Sequence, residues 1–274
     1  MDRAADIPRV LVIAGSDSGG GAGLQADIKT LTRFGVYAAT AVTAVTVQNT
    51  LGVSDIHPIP TPILTAQIKA VVDDIGADAI KIGMLGDEAT IQAVASALSD
   101  FEGPIILDPV IVATSGDRLI PLGAVAALQT KLLPKATVLT PNIPEAELLT
   151  GLSIKSEADM IKAGHMLLGL GVKAAAMKGG HLPSETLVDL LIEPTEITRL
   201  EVAKVDTRHT HGTGCTFASA LAAGLASGKS PQDSFSDAQA FVQSAIACAP
   251  GFGGGSGPLG HTEAVVPVGG KENG

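Results

Sequence analysis

Val10-Leu11-Val12-Ile13-Ala14, then Gly15-Ser16-Asp17-Ser18-Gly19-Gly20-Gly21-Ala22-Gly23, then an amphipathic segment over about 24–34 decide the fold class. Five apolar residues in a row read as a strand buried on both faces, because a half-exposed strand would alternate apolar with polar. The glycines after it let backbone approach a ligand closely, and the next segment reads as a helix. The same rhythm recurs along the chain. Residues 79–82 lead to a helix after Asp87, 105–107 end at Asp108-Pro109, and 137–139 end at Thr140-Pro141-Asn142, with Pro144 suited to a first helical turn. Residues 174–177 end at Lys178-Gly179-Gly180, and a β-rich stretch, 38–47, ends in Gln48-Asn49-Thr50. This alternation implies right-handed βαβ units, hence an α/β fold with a largely parallel central sheet and helices on both faces. No linker or repeat interrupts it, so 1–274 reads as one domain, with about 267–274 a loose tail.

Composition agrees. Hydrophobic residues make up 46% of the 274, aromatics only 3%, with no Trp, so Ala, Val, Ile and Leu must build the core. The formal net charge of −10 argues against nucleic acid as a partner, and no apolar run is long enough to span a bilayer. An anionic ligand must then be held by backbone amides, a few lysines and a metal. Two distant cysteines, Cys215 and Cys248, make no disulfide framework, and a cytoplasmic protein is expected.

The residues with chemistry cluster after strand ends, the edge where open α/β sheets bind ligands. His211-Gly212-Thr213-Gly214-Cys215-Thr216 precedes an alanine-rich helix over 217–226. Bare backbone at Gly212 and Gly214, with the helix dipole behind it, suits a phosphoryl group in transfer, and Cys215 in the first turn is placed for a lowered pKa. A tight turn beside a structural cysteine remains the alternative. Two other patterns are decoys. Gly21-x-Gly23-x-x-Ala26 lacks the acidic ribose partner of a dinucleotide site, offering Gln48 instead. Gly228-Lys229-Ser230 ends like a phosphate loop, but Ala223 replaces its first glycine, and a helix end followed by a Ser230 cap and Pro231 explains it.

Taken in order, IAGSDSGGGAGLQADIKT near the start, VTVQNT at 45–50, KIGML at 81–85, LDPV at 107–110, TPNIPEAELLTG at 140–151, MKGGH at 177–181 and THGTGCT at 210–216 resemble the hydroxymethylpyrimidine/phosphomethylpyrimidine kinases of thiamin biosynthesis, in the ribokinase-like superfamily. The resemblance implies ATP- and Mg²⁺-dependent phosphorylation of 4-amino-5-hydroxymethyl-2-methylpyrimidine and then of its monophosphate. Gln48 would read the ring, since a carboxamide pairs with an amine beside a ring nitrogen. By the same resemblance Gly15, Asp17, Ala22, Asp27, Met84 and Val110 line the ring pocket. Lys178, Asn142 and Thr213 would hold the nucleotide, and Glu145 with Asp108 the metal. Cys215, with Gly212, Thr213, Gly214 and Lys178, would carry the transfer, the thiol as base or only as a positioning group. The β-rich stretch 38–60 could form a lid or a dimer contact, and the resemblance implies a homodimer. Pyridoxal or pyridoxine kinase on the same fold is the alternative, and a binding protein without catalysis a more distant one. His209 and His211 read as local backbone caps, and Cys248 as packing.

Overall fold

A computed structural model describes residues 7–111, 121–180 and 186–267. The described strands form one sheet: β1 (Arg9–Asp17), β2 (Tyr37–Asn49), β3 (Gly52–Pro58), β4 (Ala79–Ile82), β5 (Ile105–Leu107), β6 (Val138–Leu139), β7 (Ala174–Met177), β8 (Thr186–Ile192) and β9 (Ile197–Ala203). Their spatial order is β3-β2-β1-β4-β5-β6-β7-β8-β9. From β2 through β7 the neighbours are parallel, while β3 at one edge and the β8–β9 hairpin at the other are antiparallel. The strand order reverses at β1, which lies between β2 and β4, so a crevice opens beyond its carboxyl end.

Both faces are covered, which is why β1 is apolar throughout. Leu11 and Ile13 pack toward α2 (Thr61–Ala70), α3 (Glu88–Ala97), α4 (Leu122–Ala127), α5 (Ile143–Thr150) and α6 (Glu157–Gly169). Val10, Val12 and Ala14 face α1 (Gly23–Arg33), α7 (Thr213–Ala226) and α8 (Pro231–Ala247). Helix α7 is buried continuously from Thr216 to Gly224. Its small residues admit α8 closely: a Cβ on Gly224 would lie 2.4 Å from Ser234 Oγ. The Phe217 and Phe235 rings meet edge to face at 5.8 Å.

The structure departs from sequence expectation at three places. Strand β1 runs past Ala14 to Asp17, because β2 is long enough to pair with Ser16 and Asp17 across a bulge. Helix α7 begins at Thr213, inside the glycine turn, rather than at 217. The β8–β9 hairpin had no counterpart in the reading of the sequence. The Gly228-Lys229-Ser230 segment is the helix end and cap expected: Gly228 has φ +79 and Ser230 caps Asp233 N–H. Residues 268–274 of the expected tail lie outside the described residues. Just before them, Leu259, His261 and Ala264 are buried, so the chain from 257 to 264 is part of the packed body.

Candidate active site

Beyond the carboxyl end of β1 lies a cavity of about 640 Å³, and both Gln48 and the Gly212–Cys215 turn line it. Asp17 organises the end of the cavity near Gln48. Its carboxylate accepts N–H groups of Gly19 (2.7 Å), Gly21 (3.0 Å) and Ala22 (2.8 Å), and lies 2.9 Å from His211 Nε2. Burial alone would raise its pKa, but His211 and those amides outweigh it and hold the carboxyl below the usual range. Asp17 thus ties the turn after β1 to the turn before α7. The Gln48 carboxamide spans Thr46 Oγ1 at 3.0 Å and His211 Nε2 at 3.4 Å. Gly15, Ala22, Met84 and Val110 complete this end. Val110 sits at φ +29, a strained conformation for a β-branched residue, held at the cavity wall.

Asp27 is a correction. It is fully buried beneath the cavity, where it pairs with Lys81 Nζ at 2.9 and 3.0 Å and accepts 2.7 Å from Ser219 Oγ. Asp27 cannot touch a ring in the cavity, because α1 turns its side chain inward toward β4 and α7. Burial opposes charge on Lys81, but Asp27, Cys215 and Asp108 nearby raise its pKa above the ordinary lysine range.

Beside the Gly212–Cys215 turn, Lys178 Nζ lies 3.2 Å from Asp108 Oδ1, which also accepts 3.1 Å from Thr140 Oγ1. Asn142 and Glu145 form a capping box on α5: Asn142 Oδ1 accepts from Glu145 N, and Glu145 Oε2 from Asn142 N. Glu145 Oε1 also accepts 3.2 Å from Ile111 N. Burial pushes the Glu145 carboxyl up to about 7, Lys178 opposing and Asp108 adding to the rise. Two buried carboxylates therefore share one ammonium, and a divalent cation shared with phosphate oxygens fits that deficit of positive charge. Among the described residues no group of three or more His, Cys, Asp or Glu could hold a metal by itself.

The glycine turn has the geometry its sequence suggested. Gly212 has φ +87, and a Cβ there would stand 1.8 Å from Gly21 O. A Cβ on Gly214 would stand 3.3 Å from Lys178 Nζ and 3.4 Å from Asp108 Oδ2, so the helix start abuts the ion pair. No side chain caps α7; Thr213 N–H donates 3.2 Å to Thr210 O and Thr216 N–H 2.9 Å to Gly212 O, which leaves the Gly214 and Cys215 amides between them for a ligand. Cys215 corrects the expectation of an acidic thiol. Burial pushes it up to about 12, Lys81 and the Gly23 N–H opposing, Asp27 and Asp108 adding to the rise. These surroundings favour the thiol over the thiolate.

The far end of the cavity is lined by Leu187, Lys204, Val205, Thr207, Gln243 and Ile246. None of these was singled out in the sequence; the pair 243 and 246, one turn apart on an otherwise packing helix, is the only signal they carry. His211 was also underrated, since its partner Asp17 is 194 residues away. Of the other residues expected at the site, all but Asp27 line the cavity. His181 of the 177–181 motif lies outside the described residues.

The phosphomethylpyrimidine kinase family matches residues 17–260. The chain is 47% identical over 263 residues to the hydroxymethylpyrimidine/phosphomethylpyrimidine kinase of Haemophilus influenzae, covering 94% of this chain and 97% of that one. It is 44% identical over 271 residues to the thiamine biosynthesis bifunctional protein ThiED of Geobacter sulfurreducens; the match takes in 98% of this chain but spans about half (55%) of that protein. Among solved structures, pyridoxal kinase from Staphylococcus aureus in complex with AMP-PCP and pyridoxal superposes with a TM-score of 0.87 at 36% identity, covering 94% of each chain.

Proposed function

The chain belongs to the phosphomethylpyrimidine kinase family, and we propose that it moves the γ-phosphoryl group of ATP first to the hydroxymethyl oxygen of 4-amino-5-hydroxymethyl-2-methylpyrimidine and then to the resulting monophosphate. One observation carries the proposal: the carboxamide able to read an aminopyrimidine and the amide turn able to hold a phosphoryl group line the same cavity. Gln48 binds the ring edge, with Met84 and Val110 at the same end. The hydroxyl oxygen attacks the γ-phosphorus as the bond to the β–γ bridging oxygen breaks, its proton passing to an oxygen of the transferred phosphoryl group and ADP leaving. Charge gathers on the transferred group, where the α7 amides and Lys178 meet it. Cys215, as a thiol, positions the hydroxyl; so loose a transition state asks little of a base.

Adenine fits the far end, against Leu187, Val205 and Ile246, with Gln243 to meet its edge. Glu145 and Asp108 would hold Mg²⁺ together with phosphate oxygens, since this ion takes one or two carboxylates alongside substrate phosphates. It would neutralise phosphate charge. Val45, Val47 and Leu51 stand exposed on the β2–β3 hairpin, and association of two copies through this hairpin is part of the same proposal. No described helix is long and apolar enough to cross a membrane, which fits a cytoplasmic setting.

A substrate panel tests the function. The aminopyrimidine alcohol, its monophosphate, pyridoxal and pyridoxine are each incubated with ATP and Mg²⁺, and products are identified by mass. Phosphorylation of the first two supports the proposal. Phosphorylation of pyridoxal alone replaces it with the activity named for the Staphylococcus neighbour, and binding without ADP release removes catalysis.

A further inference from the structure

We propose that Asp17 and His211 fix which end of the Gln48 carboxamide faces which neighbour, and so set the direction in which a bound ring presents its hydroxymethyl arm. The Asp17 carboxylate accepts three backbone N–H groups besides its contact with His211. Those donors keep it ionised, so it has only lone pairs to offer. The proton in the Asp17–His211 contact therefore sits on His211 Nε2. The Gln48 carboxamide is placed with its nitrogen 3.4 Å from that same Nε2 and its oxygen toward Thr46 Oγ1; a half-turn of the amide exchanges the two ends at little change in shape, and an N–H is answered by the oxygen.

The other end of the amide meets an independent constraint. Thr46 Oγ1 lies 3.0 Å from Ser16 O and 3.0 Å from the Gln48 carboxamide. Its one hydroxyl proton can serve the Ser16 carbonyl, which has none to give, and Thr46 then needs a donor from Gln48. With Nε2 toward His211 and Oε1 toward Thr46, two donors would face each other at one end, and two acceptors would compete for one proton at the other. With Oε1 toward His211 and Nε2 toward Thr46, Thr46 gains its donor, and the Nε2–H held by Asp17 at 2.9 Å is shared weakly with Oε1 at 3.4 Å, so no like groups face each other. Each end then keeps one group for a ligand: a lone pair on the His211 side and an N–H on the Thr46 side.

Given the substrate class proposed above, on which this step rests, the order has a steric consequence. The ring amine at C4 lies between N3 and C5. Its N–H pairs with Oε1 beside His211, and N3 pairs with Nε2 beside Thr46. The arm on C5 is carried onward past the amine, toward the turn that His211 begins and Cys215 ends. A 4-oxo ring, with acceptor and donor exchanged, pairs only when turned over, and then its arm points away from the phosphate end. His211 is a positioning residue in this scheme.

Two measurements test it. In the full chain without ligand, ¹⁵N NMR of the assigned His211 ring should show the Nε2–H tautomer; a proton on Nδ1 with Nε2 bare overturns the proposal whatever the substrate is. Steady-state kinetics then compare the aminopyrimidine alcohol with its 4-oxo analogue. The unaltered protein should favour the amine by about 100-fold or more in kcat/KM. His211→Asn, whose side chain can present either donor or acceptor, should narrow that ratio by about tenfold, with KM for the amine rising more than kcat falls. An unchanged ratio with only kcat reduced overturns the proposal. If His211→Asn does not fold, the tautomer still decides. If neither pyrimidine is phosphorylated by the unaltered protein, the substrate assignment and the arm direction fail, and the tautomer alone decides the amide orientation.

Discussion

Replacing Gly212 by Ala should disable the protein in a way that replacing Gly214 does not. At Gly212 the new Cβ would stand 1.8 Å from Gly21 O, whereas a carbon–oxygen contact closes to about 3.3 Å. The start of α7 and the turn after β1 must then separate by about 1.5 Å. The backbone adds to this: φ is +87, and an L-residue in the left-handed region costs about 1–2 kcal/mol. Overpacking costs about 1–3 kcal/mol more. The sum, about 2–5 kcal/mol, lowers the melting temperature by roughly 4–20 °C for a chain of this size. Separation beyond about 1 Å at reacting groups costs about 100-fold in rate.

Gly214→Ala is the comparison. Its Cβ would meet only Lys178 Nζ and Asp108 Oδ2, at 3.3 and 3.4 Å, and Gly214 is not among the residues at positive φ. Side-chain ends retreat by tenths of an ångström, so melting should shift by no more than about 2 °C, while kcat falls about tenfold because Lys178 is displaced. Melting followed by circular dichroism, with ADP release as the activity assay, reads both. Gly212→Ala melting within about 2 °C of the parent with unchanged kcat would refute the reasoning, since the close approach of the two turns would not be required.

Other substitutions separate the remaining roles. Cys215→Ser should lower kcat by less than about tenfold with the pH profile unchanged, as expected of a thiol that positions rather than deprotonates; a profile that loses its basic limb would restore the base. Asp27→Ala should cost about 3–5 kcal/mol in urea unfolding, because it strands the buried Lys81 ammonium, yet leave KM for the pyrimidine within about twofold; a selective KM rise would return Asp27 to the pocket. His261 Nε2 lies 2.8 Å from Thr216 Oγ1, and burial lowers the His261 pKa from 6.5 to about 4. A base with a depressed folded pKa stabilises fully above its unfolded value and loses that contribution as pH falls. The stability gap between parent and His261→Gln should therefore shrink from pH 7 toward pH 4, and a gap that widens on acidification would contradict the assignment.

The parts of this fold that could be read in the sequence are those set by neighbours along the chain. The apolar run of β1 announces burial on both faces, and a glycine turn before an alanine-rich helix announces an amide cradle. The cap at Ser230 needs only four adjacent residues. What could not be read depends on contacts across the chain. Asp27 looks like a pocket acid until Lys81, 54 residues on, is found against it. His211 looks like a local cap until Asp17 arrives from 194 residues away. The expected acidity of Cys215 followed from its helix position, but burial beside two carboxylates outweighs the amides. The β8–β9 hairpin carries no motif, and the far end of the cavity offers only the 243 and 246 spacing. Their residues are chosen for packing and look the same whether or not a ligand lies on them.

A structure of the protein with the aminopyrimidine alcohol and a non-hydrolysable ATP analogue tests the central claim most directly. The ring should pair edge-on with Gln48, its hydroxymethyl oxygen directed at the γ-phosphate over the first turn of α7. A ring seated away from Gln48, or a phosphate chain that does not reach the Gly212–Cys215 turn, would contradict it.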